Sequence, residues 1–238
     1  SGAVTLNFAT VDGVGNATAG VDYRSTNGNL TLADGESFKT FQVPLLNDTV
    51  VEGGETVALT LFNASGGATL GLTNALLTIV DDDAFGTFQF DTNSYTVAEA
   101  VGSVTVTVSR IGGIVGAVSV DIASVSGTAT GGLDFVPVTQ VLNFVPGQTS
   151  SNLLVQIVND QVVEQQESFS LVLSNPTGGA LLGGLTNTTV TITDEDMQFS
   201  FAVTNFSVLE NAASATVSVI RYGVTNLAGT VNYATSDG

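Results

Sequence analysis

One pattern recurs along this chain at an offset of about 112 residues, and it limits the possible folds more than any local motif does. Ala17-Thr18-Ala19-Gly20-Val21-Asp22-Tyr23 returns as Ala129-Thr130-Gly131-Gly132-Leu133-Asp134-Phe135. Asn47-Asp48-Thr49-Val50-Val51-Glu52-Gly53-Gly54-Glu55 returns as Asn159-Asp160-Gln161-Val162-Val163-Glu164-Gln165-Gln166-Glu167. Asp34-Gly35 matches Pro146-Gly147, and Asp81-Asp82-Asp83 matches Asp194-Glu195-Asp196 after one inserted residue. The end of the chain repeats its middle: Tyr95-Thr96-Val97-Ala98-Glu99 becomes Phe206-Ser207-Val208-Leu209-Glu210, and Val104 to Arg110 becomes Ala215 to Arg221. Such self-similarity defines an array of one module, and a module of about 110 residues is large enough to bury its own core. The expected division is a module lacking its first two strands over 1–83, a complete module over 84–196, and the first strands of a further module over 197–238.

Within each module the hydrophobic period is two. Val104, Val106 and Val108 alternate with Thr105 and Thr107, and Phe169, Leu171 and Leu173 alternate with Ser170 and Val172, the signature of half-buried strands. No stretch carries a helical stripe. The complete module is expected to hold about seven strands, near 88–97, 104–110, 118–124, 140–144, 151–158, 167–174 and 188–193, separated by Gly, Asn and Asp punctuation. Seven short antiparallel strands in such a length predict an all-β, immunoglobulin-like two-sheet sandwich repeated in tandem, with no helices of note. The Cys and Trp of true immunoglobulin cores are absent, so Phe, Leu, Val and Ile must fill the space.

The acidic residues follow the repeat. Of 22, sixteen fall at equivalent positions: Asp22, Asp48, Glu52, Glu55, Asp81, Asp82 and Asp83; then Glu99, Asp134, Asp160, Glu164, Glu167, Asp194, Glu195 and Asp196; and finally Glu210. All lie at strand ends or in loops. Carboxylates gathered at one end of a sandwich repel strongly, and four basic residues in the whole chain cannot neutralise them. A divalent cation can, and six to eight oxygen ligands suit Ca2+ better than Mg2+. The alternative is that these are solvated turns that aid solubility. Solvation alone does not explain carboxylates held in step from one module to the next.

Taken in order, Ala129-Thr130-Gly131-Gly132-Leu133-Asp134-Phe135, Phe144-Val145-Pro146-Gly147-Gln148, the Asn159 to Phe169 run and Asp194-Glu195-Asp196 resemble the Calx-beta domain, a calcium-binding sandwich of sodium–calcium exchangers, integrin β4 and large bacterial surface proteins. The resemblance covers nearly the whole chain. It implies that the complete module binds Ca2+ through Glu99, Asp134, Asp160, Glu164, Glu167, Asp194, Glu195 and Asp196 with the Val162 carbonyl. In the first module it implies Asp22, Asp48, Glu52, Glu55, Asp81, Asp82 and Asp83 with the Val50 carbonyl. The chain departs from the family pattern where an acidic pair is expected, having Asn47-Asp48 and Asn159-Asp160. An amide oxygen still ligates, but the lower charge should weaken affinity. The first module also has no counterpart of Glu99 in its own sequence, and Glu210 is the candidate replacement.

Other chemistry is thin. Without His or Cys the usual general bases, thiol nucleophiles and zinc ligands are missing, and a carboxylate-pair glycosidase would need an aromatic-lined cleft that a chain without Trp does not suggest. No enzymatic activity is expected. A formal charge of −18 argues against nucleic acid or an anionic membrane as partner, and no apolar run is long enough to insert in a bilayer. Asn-X-Ser/Thr sequons stand at Asn16, Asn29, Asn47, Asn63, Asn187 and Asn205, mostly as chance would place them. The composition, poor in Lys and rich in Thr, Gly, Asn and acid, is that of exported bacterial surface proteins, so an extracellular or cell-surface location is expected.

The expected function is a Ca2+-stabilised structural fibre or adhesin stalk whose partner is itself, either as a longer tandem array or as a head-to-tail homopolymer. In the homopolymer, strands within 197–221 of one chain complete the 1–83 module of the next, and Glu210 completes that neighbour's cation site. Two other readings stand beside it: a Ca2+-responsive sensor that engages a protein partner, and a passive filament that needs no metal.

Overall fold

Alternating sequence becomes strand in both halves of the computed structural model, which describes residues 2–12 and 14–236. Two units divide the chain, Ser1–Ala84 and Phe85–Gly238. In the first, β1 (Val4–Val11), β2 (Asn27–Leu32), β3 (Glu55–Phe62) and β4 (Asn74–Ile79) form one antiparallel sheet in the order β2-β1-β3-β4.

The second unit begins with β5 (Thr87–Phe90) and β6 (Ser94–Ala98), followed by a single 3-10 turn at Glu99–Val101. It continues through β7 (Ser103–Ile111), β8 (Val118–Ser126), β9 (Thr139–Phe144), β10 (Ser150–Gln156), β11 (Glu167–Thr177), the short β12 (Leu181–Leu182) and β13 (Asn187–Thr193). A hairpin of β14 (Met197–Phe201) and β15 (Val219–Gly223) follows. One sheet runs β10-β7-β5-β12 and the other β6-β13-β11-β8-β9. The core between them holds Phe88, Phe90, Val106 and Val108 from the first sheet and Val120, Ile122, Phe169, Leu171 and Val190 from the second. The sandwich is all-β, as the period-two pattern requires.

Three details differ from the sequence expectation. The strand expected over 88–97 is broken at Asp91-Thr92-Asn93, so that β5 pairs with β7 while β6 crosses to the other sheet. The pairing is not wholly antiparallel: β6 runs parallel to β13 and β12 parallel to β5. And residues 38–44, the counterpart of β10 at the same offset, form no strand. In the complete unit β10 is laddered to β7; the first unit offers no β7, so its extended 38–44 segment has nothing to hydrogen-bond along.

The first unit is therefore one layer of the sandwich. β2, β1, β3 and β4 correspond to β9, β8, β11 and β13 in the same order, and Glu55 stands opposite Ile79 as Glu167 stands opposite Ile192. The buried cluster of this layer is small, with Ala17, Tyr23 and Val57 at its centre. Phe41 from the unladdered segment stacks on Phe8 with ring centroids 4.0 Å apart and covers part of the open face.

Candidate metal centre

The acidic loops fold the same way in both units, and backbone chemistry explains how. In the complete unit Thr130 donates its backbone N–H to Asp134 Oδ2 at 2.6 Å, while the Asp134 N–H returns to the Thr130 carbonyl at 3.0 Å. Thr18 and Asp22 repeat both bonds at 2.6 and 3.0 Å. The tight turn needs a left-handed residue, and Gly132 (φ 91°) and Gly20 (φ 87°) supply it because glycine has no Cβ to clash. The next side chain anchors the turn: Phe135 is buried and stacks on Phe169 at 3.8 Å, two residues from Glu167. Tyr23 holds the equivalent place in the first unit and donates its hydroxyl to Asp12.

The second loop is set by Asp160, whose Oδ1 accepts the Val162 N–H at 2.6 Å, matched by Asp48 and Val50 at 2.7 Å. The third is set by Asp194, which accepts the N–H groups of Glu164 at 2.9 Å and of Asp196 at 2.8 Å. Asp81 does the same for Glu52 at 2.6 Å and Asp83 at 3.0 Å. Glu99 opens the 3-10 turn that Gly102 closes, is buried, and accepts the Asp160 N–H.

These loops gather carboxylates into groups whose oxygens lie within 4.8 Å of one another. In the complete unit one group is Asp134, Glu164 and Glu167, and a second is Glu99, Asp194 and Asp196. In the first unit the groups are Asp22, Asp48 and Glu52, and Asp81, Asp82 and Asp83. Glu55 is in neither group, and burial first and then the neighbouring Asp22 raise its carboxyl above the usual range. Val50 lines the first unit's acidic cavity, together with Asn47, the amide that replaces a carboxylate. Asp160 and Val162 sit beside the second unit's groups through the bonds above. Glu195 is in neither carboxylate group; its Oε1 accepts the Ala100 N–H at 2.6 Å. Glu210 lies exposed in a turn, outside every carboxylate group among the described residues.

The electrostatics are unfavourable without a counter-ion. Among the described residues the only salt bridge joins Lys39 to Glu36, well away from the acidic groups in sequence. Burial first, then the hydrogen bond and charge of Asp134, push Glu167 up to about 7. Burial and the neighbouring carboxylates raise Glu99, Glu164 and Asp196 as well, and in the first unit Glu52, Glu55 and Asp83. Asp196 Oδ2 and Glu195 Oε2 are buried with no hydrogen-bond partner. Orphaned anionic oxygens beside like charges are what a hard dication satisfies, so the residues present fit Ca2+.

Sequence reasoning missed one functional contributor to the unit's integrity. Arg110 is fully buried and donates to the carbonyls of Phe85 (2.8 Å), Gly116 (3.2 Å), Val145 (3.4 Å) and Val115. It ties the start of the unit to two loops. Its recurrence as Arg221 was the available signal.

A β-sandwich repeat with paired carboxylate groups at its loops is a calcium-binding module. The Calx-beta domain model matches residues 1–83, 81–196 and 193–238, and the chain belongs to that family. It is 35% identical over 123 residues to the sodium/calcium exchanger Calx of Drosophila melanogaster, covering 51% of this chain and 13% of that protein. It is 37% identical over 95 residues to the adhesion G-protein coupled receptor V1 of Danio rerio, covering 40% of this chain and 2% of that protein. Among solved structures, CBD12 from CALX1.2 aligns with a TM-score of 0.51 at 25% identity, covering 81% of this chain and 88% of that one. The chain thus spans a small part of the relatives it matches in sequence.

Proposed function

We propose that this chain is a Ca2+-responsive binding module, non-catalytic, in which cation occupancy sets the order of the loops at one end of each unit. Ca2+ is its cofactor. The observation that carries the reading is the pair of three-carboxylate groups in each unit, built by matching backbone bonds and lacking any basic partner among the described residues. Bound Ca2+ supplies charge neutralisation. The chain's own residues do the rest: Asp134 and Asp160 each fold their own loop, Asp194 ties its loop to that of Glu164, and Glu99 ties the 3-10 turn to Asp160, so drawing the carboxylates together orders these segments jointly. Membership of a family that includes an exchanger and a receptor favours a responsive element over a passive shaft.

The fibre or stalk reading is second, and one observation favours it: the tandem repetition of one module along the chain. The extracellular location belongs to this proposal, supported by 41% identity over 71 residues to the human extracellular matrix organizing protein FRAS1, of which the chain covers 2%. Calorimetric titration with Ca2+ and with Mg2+, joined to amide exchange across 47–55, 81–83, 158–167 and 194–196, tests the main reading. Heat and new protection with Ca2+ are expected. Loops that exchange equally fast with and without Ca2+ would show that the carboxylates are only solvated turns.

A further inference from the structure

We propose that the open edge of β9 in the complete unit is a docking surface for β9 of a second copy of the chain, the two strands pairing antiparallel across a two-fold axis. β9 ends the sheet β6-β13-β11-β8-β9 and is laddered to β8 alone. The Ser124 N–H donates to the Val138 carbonyl at 2.9 Å. Antiparallel ladders alternate from such a pair, so Gln140, Leu142 and Phe144 turn their backbone groups to β8, while Thr139, Val141 and Asn143 turn theirs to the open side. Pro137, which has no N–H, bounds this stretch before it. After it, the Val145 N–H is taken by Gln148 Oε1 at 3.1 Å. The edge offers a short run of unused donors and acceptors, on residues that are all exposed.

The chemistry of this edge sets it apart. Exposed edges are ordinarily blunted by charge, and the same edge of the first unit is: Arg24, Asp34, Glu36 and Lys39 flank β2, with Lys39 bonded to Glu36. One repeat later those four positions are Val136, Pro146, Gln148 and Ser151, and residues 135–159 carry no charged side chain. Asn29 on β2 donates its amide to Asn7 at 3.0 Å, whereas its counterpart is Val141, 53% exposed. The one charge on the β8 stretch that ladders to β9 is Asp121, opposite Val141, and it accepts a hydrogen bond from Asn175 at 2.9 Å.

A second copy is the occupant these features fit. Two chains of formal charge −18 repel one another, and their close approach is least opposed at a surface free of carboxylates. The same surface gives a basic or acidic peptide no charge to pair with. With the two-fold axis at Val141, that residue stands opposite its own copy and Thr139 opposite Asn143. The unused backbone groups then face one another in about six hydrogen bonds, and the two Val141 side chains meet on the outer face as a β-branched cross-strand pair. The contact is isologous and closes as a dimer. No member of the carboxylate groups takes part, so the docking does not rest on the Ca2+ reading.

The chain has no cysteine, which makes the register testable. Val141→Cys should oxidise to a dimer of twice 24.2 kDa on a non-reducing gel, because Cα atoms facing each other in such a pair lie within disulfide reach. Thr139→Cys should form no dimer by itself but should do so when mixed with Asn143→Cys. Leu181→Cys, 64% exposed on β12 at the far edge of the other sheet, should stay monomeric. In sedimentation velocity the parent chain should show a dimer whose fraction rises with protein concentration and with NaCl, since salt screens the repulsion between two acidic chains. Val141→Lys sets two like charges face to face and should abolish that dimer without altering the thermal unfolding of the complete unit. Monomers alone up to millimolar concentration, or a dimer that survives Val141→Lys, overturn the proposal. So does cross-linking of Leu181→Cys as readily as Val141→Cys, or of Thr139→Cys to itself as readily as to Asn143→Cys.

Discussion

Glu167 makes the Ca2+ reading quantitative. Its carboxyl rises from 4.5 to about 7, first because it is buried and then because Asp134 shares a hydrogen bond and a charge with it. Folding therefore strengthens proton binding at this group. Its stabilising effect is complete below pH 4.5, where the proton is bound in both folded and unfolded states, and is lost as pH rises through about 7. Solvent screening at this partly exposed carboxyl leaves a contribution on the order of 1 kcal/mol. For a unit of this size that is a fall of about 4 °C in Tm. Glu99, Glu164 and Asp196 are raised for the same reasons and act in the same direction.

The assay is thermal unfolding by circular dichroism from pH 4.5 to 8, in EGTA and in excess Ca2+. In EGTA the Tm should fall across that window. In Ca2+ the cation replaces the proton as the neutralising charge, and the fall should flatten or reverse. Glu167→Gln keeps the shape and a hydrogen bond to Asp134 but removes the titrating group. It should flatten much of the metal-free slope, raise the metal-free Tm at pH 8, and reduce the gain from Ca2+. A metal-free Tm that is level or rises from pH 4.5 to 7, or a Glu167→Gln slope equal to the parent's, would refute the reasoning.

Three further outcomes follow from particular contacts. Arg110→Met fills similar space but strips donors from four carbonyls, and should cost about 3 kcal/mol or more in urea unfolding, with Arg110→Lys costing less. Gly132→Ala meets no atom within 4 Å, so its cost is conformational, roughly 1 kcal/mol, and should appear together with weaker Ca2+ binding in calorimetry because Asp134 sits on that turn. Asp134→Asn and Glu99→Gln touch different carboxylate groups, so each should remove a different binding event from the Ca2+ titration; identical losses from both would mean a single fused site.

Much of this arrangement was legible because it is local. The turn around Asp134, the Asp160 to Val162 bond and the Asp194 bonds each close within a few residues or recur in step, so a repeated motif implies a repeated geometry. The strand runs were visible for the same reason. What escaped was set by distant partners. Nothing in residues 88–97 announces that the chain changes sheets at Asp91-Thr92-Asn93; that depends on β7 on one side and β13 on the other. Glu195 reads as one of three equal carboxylates, and only the approach of the Ala100 N–H takes one of its oxygens. Arg110 reads as a surface residue at a strand end until two loops close over it.

The two units carry the consequence furthest. Leu171 and Leu59 occupy the same position of the same strand beside the same acidic loop, yet one is fully buried and the other is not. Sequence specifies which face of a strand is apolar, but burial belongs to whatever lies across from it. Apolar area on one face of a strand contributes stability only where a second layer removes it from water, in proportion to the area removed.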